Sequence, residues 1–213
     1  MIVSQLFDRK RFETFFNVSH ETIEDLDRYC DLLDKWNRRI NLVSQSTLPM
    51  IWHRHFADSM QLWQLKGKIP SSWLDVGSGA GFPGLVIAIL AKNSLPDLKV
   101  TLVESDQRKC AFLLRVAQDL GLDIDIKPVR IENMPNAGFD IISARALASL
   151  NSLLELCQPF CHESTLCLFP KGNKHESELT QARKIWHIES EQISSITDAN
   201  AVIFRIESFS RAR

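Results

Sequence analysis

The sequence has no excess of positive charge: 25 Lys and Arg stand against 26 Asp and Glu. A wholly basic nucleic-acid-binding domain is therefore excluded, and an RNA or DNA partner would need a local basic face. It has no apolar run long enough for a membrane span; the longest, Leu85 to Ala91, suits a buried core helix. The first ten residues lack the basic, apolar and small-residue order of a signal peptide. No low-complexity segment or internal repeat stands out. The five cysteines, Cys30, Cys110, Cys157, Cys161 and Cys167, are odd in number, and 213 residues do not need a disulfide framework. They are expected to be reduced thiols in a cytoplasmic protein.

What is there is ordinary for a globular chain: 45% hydrophobic and 24% charged residues. Ile23, Leu26, Cys30 and Leu33, then Trp36 or Ile40, recur at helical spacing, with Glu21, Glu24 and Asp25 near the start where negative charge is favoured. Residues 37–44 read as a break. A second helix is predicted from about Thr47 to Trp63, with Pro49 in its first turn. The loop at 66–72 divides a helical N-terminal extension, 1–70, from a domain at 71–213. After it, strands are predicted at 73–76, 99–104, 123–127, 139–143, 165–169 and 201–206. Helices are predicted at 85–91, 109–120 (closed by Gly121), 147–160 and 175–186. Alternating strands and helices imply an α/β fold with a mainly parallel sheet covered on both faces. Ligands on such sheets bind at the carboxyl ends of the strands.

Gly77, Gly79, Gly81 and Gly84 fall between the first strand and its helix. Glycine there lets the backbone turn tightly and approach a ligand. Gly79 to Gly84 is literally G-x-G-x-x-G, and Glu104 follows about twenty positions later, as in a dinucleotide site. The strand, however, ends near Val76, so the glycine that leaves it directly is Gly77 and the next fingerprint position is Phe82. Pro83 also removes an amide donor where a pyrophosphate would want one. An acidic residue, an apolar residue and then G-x-G-x-G resembles the first motif of class I methyltransferases. That resemblance implies S-adenosylmethionine as cofactor, Asp75 near its sulfonium end and Glu104 on its ribose hydroxyls; an ionised carboxylate, purely an acceptor, fits a diol.

Ser143-Ala-Arg-Ala146 stands where amine methyltransferases carry Asn or Asp-Pro-Pro-aromatic, and no cysteine follows a proline as pyrimidine carbon methylation requires. Cys157, Cys161 and Cys167 match neither a radical cluster nor a structural zinc site. One ordered set of segments is far more specific. Lys35-Trp-Asn37, Asn41-Leu42, Arg54-His55-Phe-Ala-Asp58-Ser59, Asp75 to Gly84, Glu104-Ser105, Arg130-Ile-Glu132, Ser143-Ala-Arg145-Ala146 and Pro170-Lys171-Gly172 occur in sequence. From about Leu26 to the C-terminus the chain resembles the bacterial glucose-inhibited division protein B (RsmG) family. The resemblance implies a seven-stranded Rossmann-like sheet and methylation of guanine N7 in 16S ribosomal RNA. It places Gly77, Phe82, Ile131, Glu132 and Arg145 at the cofactor.

Guanine N7 already carries a lone pair, so positioning groups rather than a nucleophile are expected, with Arg145 and Lys171 as candidates. Arg38, Arg39, Arg54, Arg130, Lys171 and Lys174, with Arg145, are the candidate RNA face. The expected partner is 16S RNA or the small ribosomal subunit, met by a monomer without metal or membrane. Trp36 and Trp52 could stack a base, but at helical positions core packing is expected. His53 and His55, two apart on one helix, point to different sides, so packing or capping is expected rather than metal binding with Asp58. An NAD-dependent oxidoreductase and a catalytically silent RNA-binding assembly factor are the rival classes.

Overall fold

The central strands read as mainly apolar because a parallel sheet covered on both faces buries nearly every residue in them. The computed structural model describes residues 6–212. Its strands are β1 (Ser72–Val76), β2 (Lys99–Val103), β3 (Ile124–Lys127), β4 (Ile141–Ser143), β5 (Leu166–Lys171), β6 (Trp186–Ser194) and β7 (Val202–Arg211). They form one sheet in the order β3-β2-β1-β4-β5-β7-β6. β1 to β5 run parallel, and β7 is antiparallel to both β5 and β6. The order reverses between β1 and β4, which makes their carboxyl ends the switch point.

Alternate strand residues feed two apolar clusters, one per face. Trp73, Val100, Leu102 and Ile141 pack with α4 (Gly84–Ser94) and α5 (Gln107–Leu120). Leu74, Val103, Ile142 and Phe169 pack with α6 (Leu150–Cys157) and α7 (His175–Ala182). The N-terminal helices α1 (Arg9–Phe16), α2 (His20–Asn37) and α3 (Asp58–Gln64) add Phe12, Ile23, Leu26, Tyr29, Leu33 and Met60 to the first cluster. The loop at 66–72 thus separates segments of chain but not two cores. Among the described residues no helix is long and apolar enough to cross a membrane.

Three elements differ from the sequence reading. The helix expected over Thr47–Trp63 is a 3-10 turn at Leu48–Met50, a π-helix at Trp52–Ala57 and then α3. π-turns are rare and are frequent at functional sites. Here His53 Nδ1 accepts from Phe7 N at 3.2 Å while its Nε2 donates to Thr197 O at 2.9 Å. β6 begins where the helix from 175 was expected to end. Its few apolar residues and a register shift between Glu189 and Ser190 break the alternation that marks a strand. α1 is too short to show a period; Asp8, accepting from Arg11 N at 2.8 Å, caps it.

Close packing at the start of α4 makes a test. A Cβ on Gly84 would lie 2.2 Å from Leu102 Cδ2 and 2.7 Å from Asp75 Oδ2. Gly84→Ala is expected to lower stability by about 1–3 kcal/mol in urea unfolding. Gly172→Ala, with no atom within 4 Å of its Cβ, should leave it nearly unchanged.

Candidate active site

A cavity of about 1010 Å³ opens at the carboxyl ends of the strands. The loop after β1 forms one wall. Gly77, Gly79 and Gly81 all hold positive φ, at +68°, +59° and +93°. Gly79 faces the cleft, for nothing lies nearer its Cβ position than Gly77 O at 3.9 Å. Gly81 turns the other way: a Cβ there would meet Leu85 Cδ1 at 2.3 Å and Tyr29 Oη at 2.9 Å. Gly77 lines the cleft beside Leu147, and Gly81 serves the packing behind it.

Glu104, at the end of β2, is 8% exposed and lines the cleft. Its Oε2 accepts from Gly79 N at 2.9 Å and its Oε1 from Asp106 N at 2.8 Å. Each oxygen uses one lone pair on the backbone and keeps another, so a diol can be met by a carboxylate already locked in place. Ile131, buried, and Glu132, exposed, border the cleft beyond β3.

Asp75 sits behind the wall, not in it. It is fully buried and does not line the cavity. Oδ1 accepts from Ser143 Oγ at 2.8 Å and Oδ2 from Gly84 N at 3.1 Å. This carboxylate, expected near a sulfonium by resemblance, ties β1, β4 and α4 together beneath the loop. Burial raises its carboxyl from 3.8 to about 6, against the lowering pull of Ser143, Ser78, Gly84 and Arg145.

Arg145 follows β4 and spans the cleft to the π-helix. Nη2 donates to His55 Nδ1 at 2.8 Å, and Nη1 donates to Arg54 O at 3.0 Å and Asp58 Oδ2 at 3.1 Å. His55 must then carry its proton on Nε2, which donates to Thr47 Oγ1 at 3.0 Å. Burial and the neighbouring Arg145 drive His55 down to about 3, so it stays neutral and accepts. The imidazole stacks on Phe82 at 4.7 Å between centroids, and the Arg145 guanidinium lies 5.1 Å from the same ring. Asp58 also accepts from Thr197 Oγ1 at 2.9 Å. The polar atoms of His53, His55 and Asp58 are all taken by protein partners.

The candidate basic residues separate. Lys171, its side chain 9% exposed, donates to Ala148 O at 2.5 Å and pairs with Glu178 at 2.9 Å. It pins the start of α6, since Glu178 also accepts from Leu150 N at 2.8 Å. Arg54 and Arg130 line the cleft; Arg38, Arg39 and Lys174 are exposed but do not. Arg38 pairs with Asp34 at 2.5 Å and Arg54 with Asp198 at 3.4 Å. Trp36 packs on Phe112 and Trp52 on Phe12 and Phe56. The sequence reading missed Tyr29 and Thr47, whose hydroxyls reach Ala80 O and His55 Nε2.

The family GidB, rRNA small subunit methyltransferase G, matches residues 22–205. Ribosomal RNA small subunit methyltransferase G of Cereibacter sphaeroides is 46% identical over 191 residues, 90% of this chain and 92% of its own. Its counterpart from a Ruegeria species is 43% identical over 195 residues, 92% and 95% of the two chains. An O-methyltransferase from Bacillus cereus, in complex with SAH, superimposes with a TM-score of 0.61 at 12% identity, over 94% of this chain and 96% of that one. A methyltransferase from Geobacter sulfurreducens gives 0.58 at 13%, over 96% and 98%. At such identities the likeness is one of fold, the class I Rossmann-like methyltransferase fold.

The buried acid gives a pH signature. Protonated Asp75 suits the fold better than ionised Asp75, so its contribution is full at low pH and falls as pH rises from 3.8 through about 6. Asp75→Asn does not titrate and can still bond both partners. Its stability relative to the unsubstituted protein should therefore climb over that window, by on the order of 2–3 kcal/mol. A difference in melting temperature that stays flat with pH would count against the assignment.

Proposed function

Because the chain belongs to the rRNA small subunit methyltransferase G family, we propose that it methylates N7 of one guanine in 16S ribosomal RNA. It is an S-adenosylmethionine-dependent methyltransferase acting on small-subunit ribosomal RNA. The oxidoreductase and silent-factor readings are thereby set aside. The finer reading includes a monomer working in the cytoplasm without metal, on RNA presented within the small subunit.

The cleft suits the cofactor. The observation that carries this is Glu104, held by Gly79 N and Asp106 N with a lone pair free on each oxygen for a ribose diol. Gly79 leaves open the space that a Cβ would fill. Ile131 offers an apolar edge to an adenine, and Glu132 an acceptor for its amine. What the cofactor supplies when bound is a methyl group on a positively charged sulfur.

The protein's part is alignment. N7 needs no base, and correct placement alone supplies roughly 7–11 kcal/mol in favourable cases. The cleft is furnished accordingly. None of its lining residues is a cysteine, and His55 is held neutral with its acceptor nitrogen committed to Arg145. Arg145 brings a fixed positive charge to the end of β4, suited to a phosphate or to guanine O6. Lys171 acts at one remove, by fixing the segment from Ala148 to Leu150. Arg54 and Arg130 on the rim, with Arg38, Arg39 and Lys174 outside it, are the phosphate contacts.

Two measurements test this. Labelled cofactor supplied with small subunits, naked 16S RNA and bulk transfer RNA should yield 7-methylguanosine in small-subunit RNA, falling steeply as salt rises. Label in transfer RNA, or on an exocyclic amine, overturns the substrate. Arg145→Ala should reduce kcat/KM for RNA about 10- to 100-fold, the usual loss for a charged contact, and weaken cofactor binding far less. Gly79→Val should fold yet show no S-adenosylhomocysteine binding by calorimetry; unchanged affinity would sink the loop assignment.

A further inference from the structure

The cofactor loop is anchored mostly from within the sheet. Gly77 N and Ser78 N donate to Val103 O at 2.9 and 3.0 Å, Gly79 N to Glu104, Gly81 N to Ser78 O at 2.7 Å, and Gly84 N to Asp75. These bonds hold amides. The carbonyl of Ala80 has a different anchor: the phenol of Tyr29, which reaches it from α2 and donates to it. Tyr29 is the chain's single tyrosine and is fully buried. Its ring stacks on Phe82, the loop's aromatic residue, at 5.3 Å and 27°.

Ala80 stands between Gly79 and Gly81, at φ +59° and +93°. Glycines on both sides let a peptide unit rotate with little steric resistance. Rotation of the Ala80–Gly81 peptide would strip the carbonyl of its donor and take Gly81 N away from Ser78 O. The cleft wall at Gly79 and Ala80 would change shape with it. The glycines give the loop its close approach and also make it soft, so its shape has to be selected from outside.

The geometry points to Tyr29 as a positioning residue for the cofactor, a latch from the N-terminal helices that selects one conformation of the loop. The latch rests on the cofactor reading given above. Burial pushes the phenol well above its ordinary range, so it remains a donor at any working pH. The helical extension is thereby part of the cofactor site as well as the apolar core.

Tyr29→Phe removes one hydroxyl and keeps the ring. The KM for S-adenosylmethionine and the Kd for S-adenosylhomocysteine are expected to rise roughly 3- to 10-fold, the range for one lost hydrogen bond. The kcat and the KM for RNA should stay within about twofold. Ile23→Val, a buried position on the same helix, controls for a general loss of stability and should leave all these constants unchanged. Unchanged cofactor affinity in Tyr29→Phe overturns the latch, as does a loss shared equally by every constant. Should that variant fail to fold, 3-fluorotyrosine incorporated into the otherwise unaltered chain gives a single fluorine resonance. S-adenosylhomocysteine should shift it, saturating at the calorimetric Kd; a resonance that stays put while calorimetry records binding overturns the latch. If the unsubstituted protein does not bind S-adenosylhomocysteine, the cofactor reading falls and the latch with it; if it binds and Tyr29→Phe binds equally, the latch alone falls.

Discussion

A carboxylate buried away from water must be met by donors, since an unpaired buried charge costs several kcal/mol. Asp75 imposes that demand at the sheet's switch point, and the parts of the cleft are arranged around it. One oxygen takes Gly84 N at the start of α4, where backbone amides are free and the helix end is positive. The other takes Ser143 Oγ at the end of β4, and that hydroxyl in turn accepts from Trp73 Nε1 at 2.9 Å. The loop from Gly77 to Pro83 is therefore closed at its base by a residue that does not line the cleft. Glu104, one strand over, performs the reciprocal task on the exposed side: it holds the loop by one amide and keeps room to accept from outside.

The second arm of the cleft comes from the π-helix. Three successive residues on it reach three separate places. His53 bonds the Thr197 carbonyl, Arg54 pairs with Asp198, and His55 accepts from Arg145. Phe82 carries the contact onward, with His55 on one side and Tyr29 in stacking distance. Cofactor loop, target-side arginine and N-terminal helices thus form one packed unit.

The sheet was legible because its central strands, such as Trp73 to Val76 and Val100 to Val103, are buried on both faces and are mainly apolar, with Asp75 and Thr101 the exceptions. β6 was not legible, because an edge strand with a shifted register carries no clean alternation. The helix over 47–63 was misread because the period of its apolar residues survives the change in winding, while the bonds that cause the change go to residues 7 and 197. The site shows the same division. Glu104, Gly77 and Gly79 line the cleft, as their places straight after strands led one to expect. Asp75 was placed at the cofactor by resemblance and Lys171 read as a positioning cation, and spacing does not reveal that Ser143, Gly84 and Glu178 are their protein partners. Tyr29 was passed over because an apolar stripe on a helix announces a core and conceals a single hydroxyl aimed at a carbonyl 51 residues away.

That separation in sequence bears on how the molecule comes into being. Ribosomal synthesis delivers the N-terminal helices first, yet α2, with Leu26, Tyr29 and Leu33, packs against α4 and α5, which arrive later. His53 waits longer still, for Thr197, 144 residues downstream. The helical segment cannot bury its apolar face by local contacts, and closing such long loops has an entropic cost that delays it. Nearly the whole chain must have left the ribosome before the cleft exists, so a nascent fragment presents helices without a pocket.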